Sequence, residues 1–216
     1  MDTKTFIARR VAQELKDGDV VNLGIGLPTM VAAHLADGID ILLQSENGFL
    51  GICPVDIHNP DPDLANAGGQ PCGIIKGGST FDSAFSFALI RGGHIDACVL
   101  GGLEVDQQGN LANWMVPGKM VPGMGGAMDL VTGSKNVIVA MEHCTKTGEA
   151  KILRQCQLPL TAQNCVSTII TELAVFRFIG GQLTLVEYAP GTSVEVIKAR
   201  TDADFEIADN LKEIKL

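Results

Sequence analysis

Apolar and polar positions follow two periods along this chain, one helical and one extended. Near the start, Ile7, Val11 and Leu15 recur four apart, with Arg9, Arg10, Glu14 and Lys16 between them and Gly18 behind. This spacing predicts an amphipathic helix over 4–17 that ends at the glycine. Short aliphatic and β-branched runs follow. Residues 20–23, 39–43, 95–100 and 137–141 read as buried strands, and 29–35 and 83–91 as helices. Residues 176–179 and 182–186 flank Gly180-Gly181 as a hairpin. Thr192-Ser193-Val194-Glu195 fits a capping box opening the last helix. Residues 51–80 carry Pro54, Pro60, Pro62 and Pro71 among several glycines and read as loop-rich. Strands alternating with helices predict an α/β domain with a mostly parallel sheet.

Composition narrows this picture. A chain of 216 residues is one large domain, taken here as 1–216, or two small ones at most. Hydrophobic residues make up 46% and charged residues 19%, which excludes a disordered chain. The mean hydropathy of +0.22 is high, yet no apolar run approaches the roughly 18 residues of a membrane span. The excess points to deep burial or a subunit interface. A net charge of −9 argues against nucleic-acid binding. The first five residues carry no signal or transit pattern. The six cysteines form no C-x-x-C pair and no metal-finger spacing, so they read as reduced thiols of a cytoplasmic protein with no metal site.

Glycine supplies 25 residues, in six Gly-Gly pairs among other places, well above the average of about 7%. Such usage fits either many tight turns or a site built from backbone N–H groups. Gly24-Ile25-Gly26 follows a strand, but Thr29 stands where a dinucleotide fingerprint needs its third glycine. A tight turn and a backbone anion site both remain open there. Gly118-Lys119 is followed by Met120, so it is no phosphate-binding loop of the P-loop kind. Glu46 sits just past Ile41-Leu42-Leu43 and just before Phe49-Leu50. At the carboxyl end of a buried strand, a carboxylate can serve as nucleophile or base; the alternative is a solvated glutamate in a Ser-Glu-Asn-Gly turn. The segment from Met115 to Met128 is either a surface loop or a source of oxyanion donors lined by methionines. Trp114 reads as a core or interface anchor, and the four histidines show no catalytic order.

The run Leu43-Gln44-Ser45-Glu46-Asn47-Gly48-Phe49-Leu50-Gly51 closely resembles the active-site signature of the β-type subunits of 3-oxoacid CoA-transferases, the family I CoA-transferases. Residues 22–28, 65–68, 90–94, 111–114, 117–120, 123–130 and 158–161 are similar to family blocks, in family order and over nearly the whole chain. Within the family the likeness is greatest to β subunits of its acetate/butyrate:acetoacetate branch. The resemblance implies a three-layer α/β/α fold and ping-pong transfer of CoA from an acyl-CoA to a free carboxylate, through an enzyme thioester. No metal or other cofactor is implied, coenzyme A itself being a substrate. It implies that Glu46 is the catalytic nucleophile and that Gly126 is the oxyanion donor at the CoA site. Asn22, with Gly24 and Asn47, would lie beside the substrate. An α subunit would complete the site, in an α2β2 assembly acting on acyl-CoA and small carboxylic acids.

Two departures stand out. Cys53 occupies a position where the family often has glycine, and the Asp56–Asp63 stretch is rich in proline and aspartate. Both bear on acyl-chain specificity. The acidic chain also poses a charge problem, because CoA is polyanionic. Lys76, Arg91 and Lys119 are the local candidates for a positive patch, and the partner subunit is the other. Phe49 and Leu50 are the expected water-excluding wall beside Glu46. Two rival readings remain: a sugar-phosphate isomerase-like enzyme, and a non-catalytic sensing or assembly subunit.

Overall fold

The computed structural model describes residues 1–119, 121 and 123–216. Met120 of the 117–120 block and Pro122 of the glycine-rich segment lie outside the described residues.

The amino-terminal helix α1 (Thr3–Ala12) opens where the Asp2 carboxylate accepts from the Thr5 N–H at 3.0 Å, capping a donor the helix cannot use. Ile7, Ala8 and Val11 are fully buried on one face, each large apolar side chain contributing about 1.5–3 kcal/mol. The helix stops five residues short of the expected 17. Asp19 accepts from the Lys16 N–H at 2.9 Å and draws the chain into a turn before Gly18, whose φ is +81°. Leu15 is buried all the same.

The strands follow as β1 (Val20–Leu23), β2 (Leu42–Ser45), β3 (Phe49–Cys53), β4 (Gly73–Thr80) and β5 (Ala97–Leu100). After them come β6 (Glu104–Asp106), β7 (Leu111–Ala112), β8 (Asn136–Ala140), β9 (Ile152–Leu153), β10 (Thr168–Ile170), β11 (Ala174–Ile179), β12 (Gln182–Tyr188) and β13 (Glu206–Glu213). Ten of these form one sheet, in the order β13-β12-β11-β10-β8-β5-β1-β2-β3-β4, and β7-β6-β9 form a second. The five central strands, β10 to β2, are parallel throughout, and β13 is parallel to β12. The flanking pairs β11–β12, β10–β11, β2–β3 and β3–β4 are antiparallel. The sheet is therefore mostly parallel, with antiparallel borders that the strand–helix alternation did not foretell.

Side-chain alternation divides the interior into two cores. Cys98, Leu100, Val137, Val139 and Ile169 face one side, and Ala97, Val99, Ile138, Ala140 and Ile170 face the other. The first side is covered by α2 (Ser83–Arg91), α3 (Ala127–Gly133) and α4 (Val194–Arg200), whose Ile90, Leu130 and Ile197 join that core. The second is covered by α1 and a 3₁₀ helix over Leu27–His34. This is the expected three-layer α/β/α arrangement. Val105, Leu111 and Ile152 of the small sheet enter the same core as Val139 and Phe176 of the large one.

Several expected elements shift. The strand read at 39–43 pairs at 42–45, which carries the chain two residues closer to Glu46 before it turns. Residues 51–80 are not all loop: β3 and β4 pair across them, and the proline-rich residues 54–72 form the excursion between. The helix expected at 29–35 is 3₁₀ and begins at Leu27, with Pro28 in its first turn. The cap of α4 is Ser193, not Thr192; its hydroxyl accepts from the Val196 N–H. No helix among the described residues is long and apolar enough to cross a membrane.

Candidate active site

Parallel strands β1, β2 and β5 end at the same edge of the sheet, where α/β folds place their ligands. Asn22 of β1 is the Cα partner of Gln44 of β2. A period of two puts Glu46 on the face that Gln44 occupies. Glu46 itself begins the turn between β2 and β3, closed by the Gly48 N–H donating to the Ser45 carbonyl at 3.0 Å. Gly48 has a φ of +127°, and a Cβ there would meet the Phe81 carbonyl oxygen at 2.0 Å. Only glycine satisfies both demands.

Asn22 is 2% exposed and its Nδ2 donates to Glu46 Oε2 at 3.1 Å. The same nitrogen donates to Gln44 Oε1 at 2.7 Å, and Gln44 Nε2 donates to the Ser86 hydroxyl of α2 at 3.0 Å. Glu46 Oε1 accepts no hydrogen bond among the described residues. On the opposite side stands Gly126, the buried residue before α3. A Cβ on Gly126 would lie 3.2 Å from Glu46 Cγ and 3.4 Å from the Phe87 ring. Its N–H donates to no acceptor among the described residues. The missing side chain thus lets the Gly126 backbone come close to the Glu46 side chain.

These groups open into a cleft of about 810 Å³, within the size range of small-molecule sites. Asn22, Gly24, Glu46 and Gly126 all line it, so four of the five expected site residues come together. Asn47 does not join them. Its side chain is exposed and donates to the Ala65 carbonyl at 2.7 Å, tying the turn to the 64–70 loop. Gly24 is committed to the sheet: its N–H donates to the Val99 carbonyl at 2.8 Å, and a Cβ would crowd Leu100 at 3.0 Å. The Gly24 N–H is therefore not a free donor for an anion.

The apolar wall also differs from expectation. Phe49 is buried and, like Leu50, is absent from the cleft lining; Leu43, Ile52, Leu100, Leu103, Trp114 and Met124 take that role. Trp114 is held by its indole N–H donating to the Leu160 carbonyl at 3.2 Å. Cys53 and Cys72 both line the cleft, and burial pushes the Cys72 thiol up. Glu46 and these two thiols are the only titratable groups among the described lining residues. Lys76, Arg91 and Lys119 are all outside it. Arg91 is bound to Asp129 at 2.6 Å and stacks over Phe87. Gln44 and Ser86 escaped the sequence reading, because a buried glutamine and a serine inside a helix carry no signal until the register brings them together. All six cysteines are free, and no metal-binding cluster of His, Cys, Asp and Glu occurs among the described residues.

A protein-family profile described as Coenzyme A transferase matches residues 4–200. The chain belongs to the coenzyme A transferase family. It is 68% identical over 216 residues to a Haemophilus influenzae protein named as the beta subunit of acetate CoA-transferase, covering 100% of this chain and 97% of that one. It is 53% identical over 211 residues to a Bacillus subtilis protein named as one subunit of a probable succinyl-CoA:3-ketoacid coenzyme A transferase, covering 97% of this chain and 98% of that one. Among solved structures, the acyl-CoA transferase YdiF apoenzyme of Escherichia coli O157:H7 shares the fold with a TM-score of 0.81 at 24% identity. That match covers 99% of this chain and 43% of the YdiF chain. This CoA-transferase chain therefore carries the family resemblance of its sequence through to its fold.

Proposed function

We propose that this CoA-transferase is a β-type subunit that moves CoA between a short-chain acyl-CoA and a free carboxylate, with Glu46 as nucleophile. One observation carries the reading. In a cleft otherwise apolar or neutral among its described residues, a single carboxylate is held by the Asn22 amide at 3.1 Å and backed by the backbone of Gly126.

A Glu46 oxygen attacks the thioester carbonyl, the carbon–sulfur bond breaks, and CoA leaves as thiolate with an acyl-glutamyl anhydride behind it. The thiolate then attacks the Glu46 carbonyl, expelling the acyl carboxylate and leaving an enzyme–CoA thioester. An incoming carboxylate runs the two steps in reverse. Each attack creates an oxyanion, and one fixed N–H is worth about 3 kcal/mol to it. The apolar wall of Trp114, Leu100 and Met124 keeps water from the anhydride. CoA enters and leaves as substrate, and the chemistry asks for no metal or redox cofactor.

An α subunit supplies the remainder of the CoA site, in an α2β2 assembly. Two observations support the partner. No Lys or Arg is among the described cleft residues, so the charge that meets the CoA phosphates comes from elsewhere. Ile25, at the cleft, is 76% exposed, an apolar surface that a partner would cover. The same lack of cationic side chains disfavours a sugar-phosphate isomerase. Relatives are named for acetate, succinate and 3-ketoacids, and acids of that class are the substrates proposed here. Free thiols throughout support a reducing, cytoplasmic setting.

The test is to incubate the complex with acetoacetyl-CoA, trap it, and map CoA adducts by peptide mass spectrometry. An adduct on Glu46, lost together with turnover in Glu46→Gln, is expected. Wild-type turnover in Glu46→Gln overturns the mechanism.

A further inference from the structure

The geometry points to Gln44 and Ser86 as positioning residues that hold the Asn22 amide, and through it the Glu46 carboxylate, in place. The inference rests on the reading of Glu46 as nucleophile. A side-chain amide is a donor at one end and an acceptor at the other, so its usefulness depends on which way it faces. Asn22 serves Glu46 only with its nitrogen forward.

Ser86 anchors the chain of bonds from two residues away. Its hydroxyl oxygen accepts from Gln44 Nε2 at 3.0 Å, which turns Gln44 Oε1 toward Asn22. Oε1 accepts from Asn22 Nδ2 at 2.7 Å, and this places the same nitrogen against Glu46 Oε2. The Gln44 backbone carbonyl, 3.3 Å from Nδ2, supports the same facing. Ser86 is wholly buried, and Gln44 and Asn22 are 3% and 2% exposed, so a missing link leaves its partner short of a hydrogen bond in the interior. Without the hydroxyl, the Gln44 nitrogen is left buried without its partner. Gln44 then moves to find another partner, and Asn22 loses the 2.7 Å support of Oε1. The nucleophile then leaves the position that Gly126 backs.

The experiment uses the assembled enzyme with acetoacetyl-CoA and follows formation of the Glu46 adduct in a single turnover. Ser86→Ala, Gln44→Met and the double variant are compared with wild type after thermal melting confirms that each is folded. Gln44→Met keeps the volume, so it carries the test if Ser86→Ala fails to fold. Each single variant slows adduct formation about tenfold while the half-saturating acetoacetyl-CoA concentration stays within about twofold. The double variant is no slower than the slower single by more than about twofold, because the links act as one unit. Ser86→Thr, which restores a hydroxyl, recovers the rate. Single variants at wild-type rates, or losses that multiply in the double variant, overturn the positioning role. A wild-type enzyme that turns over without an adduct on Glu46 overturns the nucleophile reading and this inference with it.

Discussion

His143 makes stability depend on pH in a calculable way. Its ring is fully buried, with Nδ1 2.9 Å from the Thr171 hydroxyl and Nε2 2.9 Å from the Thr201 hydroxyl. Burial, and to a lesser degree the nearby charges of Arg200 and Lys151, push its pKa down from 6.5 to about 4. The unfolded chain therefore binds a proton that the folded chain refuses. The stabilising contribution is complete above pH 6.5 and is lost as pH falls through 4. Over the whole interval it amounts to about 3 kcal/mol, of which about 2 kcal/mol has gone by pH 5. His143→Gln keeps polar groups for the two threonines and removes the titration. Urea unfolding of both proteins at pH 7.5 and pH 5 isolates the term from carboxylate effects common to the two. Wild type should lose about 2 kcal/mol more than the variant, or about 4–8 °C in melting temperature. Equal losses in the two proteins would refute the assignment of a neutral buried imidazole.

Gly126→Ala tests the close approach at the nucleophile. The new methyl comes about 0.3 Å inside normal carbon–carbon contact with Glu46, so turnover should fall about fourfold to tenfold, with a melting temperature near that of wild type. Steady-state rates beside a thermal melt check both halves. Gly48→Ala meets the Phe81 carbonyl and an unfavourable φ together, and calorimetry should show a loss of about 3 kcal/mol along with lost activity. Arg10, 4% exposed, holds Glu187 at 2.6 Å and Glu14 at 2.7 Å. Arg10→Ala leaves those carboxylates to Lys212 and Arg177 alone and should cost about 3 kcal/mol in chemical denaturation, with little effect on the cleft.

Local pattern was enough for the parts of this protein whose physics is local. Buried aliphatic runs became β1, β5 and β8, because a strand covered on both faces has no polar alternative. Gly180-Gly181 became a hairpin, and the family blocks named Glu46 and Gly126 as residues that would meet. Other features depended on distant partners. Strand β13 is mostly polar and gains its identity only by pairing with β12 after α4 has carried the chain back. Strand β4 is glycine-rich and forms because β3 offers it a ladder. At the site, residue type alone could not separate Asn47, which faces Ala65, from Asn22, which faces Glu46. Nor could it find Ser86, 42 residues along, supporting Gln44. Hydrophobic periodicity records which side of an element is buried. Which polar atoms then meet is set by strand register and by the packing of α2 and α3 over the sheet, and these exist only in the folded chain.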